Sequence, residues 1–213
     1  MTLLLYPDAV ARQSKSSSRL VESQETSALW LRAARRAAGL TQTELARRLG
    51  VDQSQVARAE SGRVELSAAN LDRYLRACRY RLVAVPTVRA TAVELAQAIR
   101  DALLANESDS AVRFLIQLSD NLVAEDLPYV TSLVMTPADT GDQRFDAAVA
   151  GIAEWRLLQR DLPVPAWIRA IGPLSEQWWI DDFGAGDVAV VEATPEPLRR
   201  RNVLVDEIAL ESV

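Results

Sequence analysis

From residue 27 onward, apolar positions recur three and four apart in short blocks, and glycine, proline or small polar residues separate the blocks. Residues 27–38 (SALWLRAARRAA) put Leu31 and Ala34 on one face, with Ser27 as a candidate cap and Gly39 as the stop. Residues 41–49 place Leu45, Ala46 and Leu49 together. Thr41 followed three residues later by Glu44 spells a capping box, and Gly50 ends the helix. Val51 leads to Asp52, the predicted cap of a helix over 53–60, whose polar surface is interrupted only by Val56, Ala57 and Ala59 before Gly62 stops it. Ser67 predicts a helix to about Tyr80 with Leu71, Leu75 and Cys78 inward. The alternation in RLVAVP predicts a short strand over 81–86, closed by Pro86.

Three more helical blocks follow. Residues 91–105 align Ala92, Leu95, Ile99 and Leu103; residues 111–124 align Val112, Leu115, Ile116, Leu122 and Val123; residues 144–158 align Phe145, Val149, Ile152 and Trp155. From Pro163 the texture turns rich in Pro, Gly and Trp, and DVAVVEA (187–193) reads as a strand. No internal repeat is present. The pattern predicts a mainly α chain in three parts: an arm over 1–26, a helical domain over 27–86, and an α+β domain over 87–213. The arm reads either as a poorly ordered terminus or as a segment whose Arg12, Lys15 and Arg19 touch phosphates or a minor groove.

Two helices of about eight residues joined by a short glycine turn match the helix-turn-helix, and a second helix with few buried anchors suits a DNA major groove. At Gln42, Glu44, Leu45, Ala46, Gly50, Val51, Gln53, Val56, Arg58, Glu60 and Gly62 the chain resembles the Cro-like phage repressor helix-turn-helix family, usually called XRE, over about residues 28–86. That resemblance implies a five-helix DNA-binding domain, a structural salt bridge between Arg35 and Glu60, a backbone contact for Gln42, and a dimer on palindromic double-stranded DNA. Asp52 departs from the Ser or Thr commoner at the recognition-helix cap, and its carboxylate adds repulsion near phosphates.

Charge sharpens this division. Residues 1–90 carry 15 Lys and Arg against 8 Asp and Glu, a net of +7; residues 91–213 carry 9 against 21, a net of −12. A basic part joined to an acidic part predicts DNA at one end and a different partner at the other. For base reading, Gln53, Ser54, Ala57 and Arg58 are the candidates: Gln bonds bidentately to adenine and Arg to guanine, and positions one turn apart share a face. Gln55 lies to the side. For phosphate contact the candidates are Thr41, Gln42, Arg47 and Arg63, together with the free amides at the start of the 41–49 helix.

In the acidic part, adjacent Trp178 and Trp179 point to opposite faces in a strand and diverge by about 100° in a helix. They read either as a partner interface or as two rings shared between core and surface. Arg199, Arg200 and Arg201 read either as a hold for an anionic partner or as a solvated face paired with carboxylates such as Asp206 and Glu207.

Catalytic chemistry is thinly supplied. The 213 residues hold no histidine, which removes His-based acid–base catalysis, His triads and the usual zinc sites. The one cysteine, Cys78, excludes an intramolecular disulfide and fits a reducing compartment. Asp181 and Asp182 are an ordinary pairing in an acidic domain, and Gly184-Ala185-Gly186 is too short for a phosphate loop. No apolar run approaches a membrane span and LLLY is too short for a leader core, so a cytoplasmic protein is expected, with no enzyme activity, no cofactor and no metal. Over about residues 140–213, VPAWIRA, WWIDDF and VEATPEPLRRRNVLVDEIALESV resemble actinobacterial helix-turn-helix antitoxins and regulators encoded beside nucleotidyltransferase-like toxins. That resemblance implies a repressor of its own operon whose acidic domain binds a toxin; the alternative is a one-component regulator sensing a small molecule.

Overall fold

The computed structural model describes residues 27–180 and 186–210; the arm over 1–26, the Asp181–Asp182 pair and the Gly184-Ala185 part of the short glycine run lie outside these. The chain divides between Leu82 and Val83 into two compact units, each with its own apolar core.

Among its described residues the first unit holds four helices: α1 over 27–37, α2 Gln42–Leu49, α3 Gln53–Glu60 and α4 Ala68–Ala77. Their boundaries follow from local chemistry. Thr41 and Glu44 form a complete capping box at the start of α2. Bonds from the Thr41 backbone and hydroxyl hold the Glu44 carboxyl below its usual range. Gly50 ends α2 at φ 68°, a left-handed conformation that glycine adopts without a Cβ penalty. The core is Leu31, Ala34, Leu45, Val56, Ala59, Leu71, Leu75 and their neighbours, Cys78 among them. Burial pushes the Cys78 thiol up to about 11, so it stays protonated.

Two expectations change here. Among the described residues the first unit shows four helices, and α5 lies in the second unit. Residues 81–86 form no strand among the described residues. The Leu82 N–H donates to the Asp72 carboxylate at 3.2 Å and the Thr87 N–H to the Val85 carbonyl at 2.9 Å, so backbone groups that a ladder would need are used locally.

The second unit is built around one helix. Its elements are α5 Ala92–Leu104, α6 Ser108–Ala124, α7 Leu127–Val130 running into a 3-10 turn Thr131–Val134, α8 Gln143–Gln159 and α9 Ala166–Ala170. Then come β1 Trp178–Trp179, α10 Val188–Ala193, α11 Glu196–Arg199, β2 Val203–Leu204 and a last 3-10 turn Glu207–Leu210. On α8 every residue from Ala147 to Leu157 is buried, so the helix has no solvent face along its middle. Helices α5, α6, α9 and α11 and strand β2 all pack on it. Ala147, Ala148, Ala150, Gly151 and Ala153 let these neighbours come close. On α6, Leu115, Leu118 and Leu122 carry the inward face, whereas Val123, expected inward, is half exposed.

The strands lie elsewhere than expected. β1 and β2 pair in parallel, with Trp178 opposite Val203 and Trp179 opposite Leu204. Residues 187–193, read as a strand, are α10: the Asp187 carboxylate caps the Ala189 N–H at 2.8 Å, and the Thr194 hydroxyl closes the helix on the Val190 carbonyl at 2.7 Å. Both ends are satisfied locally, which outweighs the β preference of three valines.

Gly151 is a point of close approach between α8 and α11. A Cβ there would lie 2.6 Å from Leu198 Cδ2 and 3.2 Å from Leu198 Cα. Gly151→Ala is expected to destabilise the second unit by about 1–3 kcal/mol through overpacking, despite a helix-propensity gain of about 1 kcal/mol. Denaturant unfolding should show the loss, and Leu198→Ala should cost less in the Gly151→Ala background than in wild type, because it removes the overlapping atoms.

Candidate nucleic-acid interface

The predicted DNA-facing residues sit on α2, on α3 and in the loop after it. Gln53, Ser54, Gln55, Arg58 and Arg63 are exposed, and Ala57 is half-buried. Inward, Val56, Ala59 and Glu60 anchor α3. The helix therefore shows one polar face to solvent and rests on three buried residues.

Asp52 occupies the cap position with extended backbone, yet its carboxylate makes no capping hydrogen bond. The first amides of α3 are thereby not screened by that side chain, which corrects the expectation of an Asp52 cap.

A chain of polar contacts runs beneath α3. Arg35 on α1 grips the Glu60 carboxylate with two bonds, Nε to Oε1 at 2.5 Å and Nη2 to Oε2 at 3.0 Å. Its Nη1 donates to the Leu40 carbonyl at 2.6 Å, which ties the same guanidinium to the chain entering α2. Glu60 is 3% exposed and Arg35 13%, so the pair is removed from water. The Gln42 amide donates from Nε2 to Glu60 Oε2 at 2.9 Å, and Gln53 Nε2 donates to Gln42 Oε1 at 2.7 Å. Arg35, Glu60, Gln42 and Gln53 thus form one connected series from α1 to the first residue of α3.

The order of donors in that series is forced. An ionised carboxylate only accepts, so Gln42 must turn its NH2 to Glu60 and its carbonyl oxygen to Gln53. Gln53 must then donate one amide hydrogen inward. Its other hydrogen and its Oε1 take no part in this series. The Gln42–Gln53 bond was not read from the sequence; the signal available was two amides, each opening a helix of the motif.

The phosphate candidates fall into two groups. Thr41 and Gln42 spend their side chains inside the unit, Thr41 on Glu44 and Gln42 on Glu60 and Gln53. Arg47, in the last turn of α2, and Arg63, just beyond α3, are exposed. Arg58 is held loosely, with Nε 3.3 Å from the Ser54 carbonyl.

In the second unit, Trp178 and Trp179 are both half-buried on β1. Trp178 packs on Phe145, with ring centroids 4.9 Å apart, and the Arg144 guanidinium lies 5.6 Å from its ring centre. The arginine triplet separates into three environments. Arg201 is 2% exposed, donates to the carbonyls of Pro197, Ile168 and Ile171, and pairs with Glu154 at 2.7 Å. Arg200 pairs with Glu154 and with Glu196, and Arg199 is exposed. The carboxylates engaged are therefore Glu154 and Glu196 and not Asp206 or Glu207, because β2 carries the chain away before residue 206.

Breaking a buried pair leaves an uncompensated charge, at a typical cost of about 3–5 kcal/mol. Arg35→Met should destabilise the first unit by that order, read as accelerated amide exchange across α2 and α3 with the second unit's protection unchanged.

Residues 31–85 match the family model described as helix-turn-helix. No curated protein and no solved structure gives a significant match. Among the described residues no helix is long and apolar enough to cross a membrane. The first unit is thus a helix-turn-helix, the DNA-binding domain of a transcriptional regulator.

Proposed function

We propose that the chain is a sequence-specific repressor, a binding protein rather than an enzyme, that reads its operator through Gln53 and Arg58. The observation that carries this is the donor order, in which Gln53 gives one amide hydrogen to Gln42 and keeps its Oε1 and other hydrogen outside that series. Its free acceptor and donor match the N6 amine and N7 of adenine in the major groove. Arg58, exposed and one turn beyond Ser54, supplies the fork that suits O6 and N7 of guanine. Arg47 and Arg63 contribute phosphate contacts, which set register rather than sequence. Two copies on a palindrome would place their α3 helices about 34–36 Å apart, one turn of the duplex.

The acidic second unit serves a protein partner in this reading, and the partner is the toxin product of a neighbouring gene, which the repressor neutralises. Two surface features support a partner of this kind. Helix α10 carries Val188, Val190 and Val191 with no residue buried, and Trp179 stands half-exposed on β1. The unit's negative charge suits a basic, nucleic-acid-handling surface.

Arg58→Ala should lower operator affinity by roughly 1–3 kcal/mol and flatten the preference at one base position, measured by binding to operator variants at fixed salt. Equal losses on operator and random DNA would remove the base-reading role. Co-purification with the native neighbouring genes tests the second half. A stoichiometric partner held by residues 83–213 supports the antitoxin reading, whereas promoter binding without a partner makes a ligand-responsive regulator the better account.

A further inference from the structure

The last turn of α3 is closed unevenly. The Ser61 N–H reaches the Ala57 carbonyl at 3.0 Å, the Arg63 N–H the Arg58 carbonyl at 3.0 Å, and the Gly62 N–H the Ala59 carbonyl at 3.3 Å. The Glu60 carbonyl is taken by a side chain from another helix: Arg32 Nη2 donates to it at 2.5 Å. Arg32 lies three residues before Arg35 on α1, so both point from the same face of that helix toward the same residue. One arginine holds the Glu60 carboxylate and the other its backbone oxygen. A guanidinium on the last carbonyl also meets the negative end of the helix dipole, where a cation is stabilising.

We propose that Arg32 is a positioning residue for the DNA-reading helix, fixing the C-terminal end of α3 through the Glu60 carbonyl. This rests on reading α3 as the helix that enters the groove. The two arginines divide the task. The Arg35 side holds the Glu60 carboxylate and, through Gln42, orients Gln53 at the beginning of α3. Arg32 holds the backbone at the other end, two residues from Arg58. Loosening the Glu60 carbonyl therefore lets the Arg58 end of the helix move while Gln53 stays tied to Gln42. Arg32 is half-buried and spends Nη2 inside the unit, so it acts on DNA through the helix and not as a phosphate contact.

The test uses the full chain, at a temperature well below unfolding, on operator DNA with single-base variants and on random DNA across a salt series. Wild-type discrimination between operator and random DNA, measured first, tests the parent reading separately. Arg32→Met is expected to weaken operator binding about tenfold, which is a loss of about 1.4 kcal/mol. Discrimination should fall at the base position assigned by Arg58→Ala and be kept at the position assigned by Gln53→Ala. The salt slope should stay as in wild type, whereas losing a phosphate contact lowers it by about 1. Arg73→Met, which removes the same charge from the exposed side of α4, should leave discrimination untouched. Arg32→Lys, which can still donate to the carbonyl, should recover most of the operator affinity and guards against a Met variant that folds poorly. A reduced salt slope would make Arg32 a phosphate contact and overturn the proposal. So would equal losses on operator and random DNA, or a Lys variant no better than Met.

Discussion

The first unit depends on a carboxylate that water cannot reach. Glu60 sits at the end of α3 with 3% of its surface exposed, and an isolated charge there would cost several kcal/mol. Arg35, Gln42 and, at the backbone, Arg32 converge on it from α1 and α2. Two helices are thereby bonded to one residue of a third. The apolar contacts of Leu45, Val56 and Ala59 bring α3 onto the unit, but apolar contact is non-directional and leaves rotation about the helix axis weakly specified. The polar series supplies the direction. It ties α3 to α1 and α2 at set points and, through the donor order, makes Gln53 the donor to Gln42.

The second unit solves its problem by a different route. With α8 buried on every face through its middle, its neighbours are set by how closely they approach its small residues, and at Gly151 the approach of Leu198 leaves no room for a Cβ. Charges are buried here too, but they are arranged around backbone carbonyls. Arg201 uses three carbonyls and Glu154, and Arg156 lies over the Trp155 ring at 3.7 Å while donating to the Ser119 hydroxyl. These side chains fasten the irregular stretch after α9 to the central helix, which a segment of few regular elements needs for its unpaired backbone groups.

What could be read beforehand follows from this contrast. The helices of the first unit were legible because their signals are local: a Thr–Glu box, left-handed glycines, and apolar residues three and four apart. The same holds for α5, α6 and α8. The strand pair, α10 and the fate of the three arginines were not legible, for one physical reason. Two-residue strands carry no period, three valines favour a strand until an Asp cap and a Thr closure decide otherwise, and consecutive arginines look alike until burial separates them. At the site, the pattern located the residues that face outward, while the Gln42–Gln53 bond and the hold of Arg32 on Glu60 required the three-dimensional arrangement of α1, α2 and α3.

Charge completes the division of labour. Residues 1–82 carry 14 Lys and Arg against 8 Asp and Glu, and residues 83–213 carry 10 against 21. At physiological ionic strength exposed charges are screened beyond about 8 Å, so an acidic surface weakens phosphate attraction only where it comes that near the duplex. The negative charge of the second unit is therefore compatible with DNA binding by the first. Its carboxylates are not all spent on the fold: Glu154, Asp139 and Asp142 are engaged with arginines, whereas Asp126, Asp161 and Glu192 stand exposed. A surplus of exposed acids in the second unit adds nothing to its stability, since self-repulsion lowers it. Net charge of one sign favours solubility, and under the proposed function it also meets a basic partner surface.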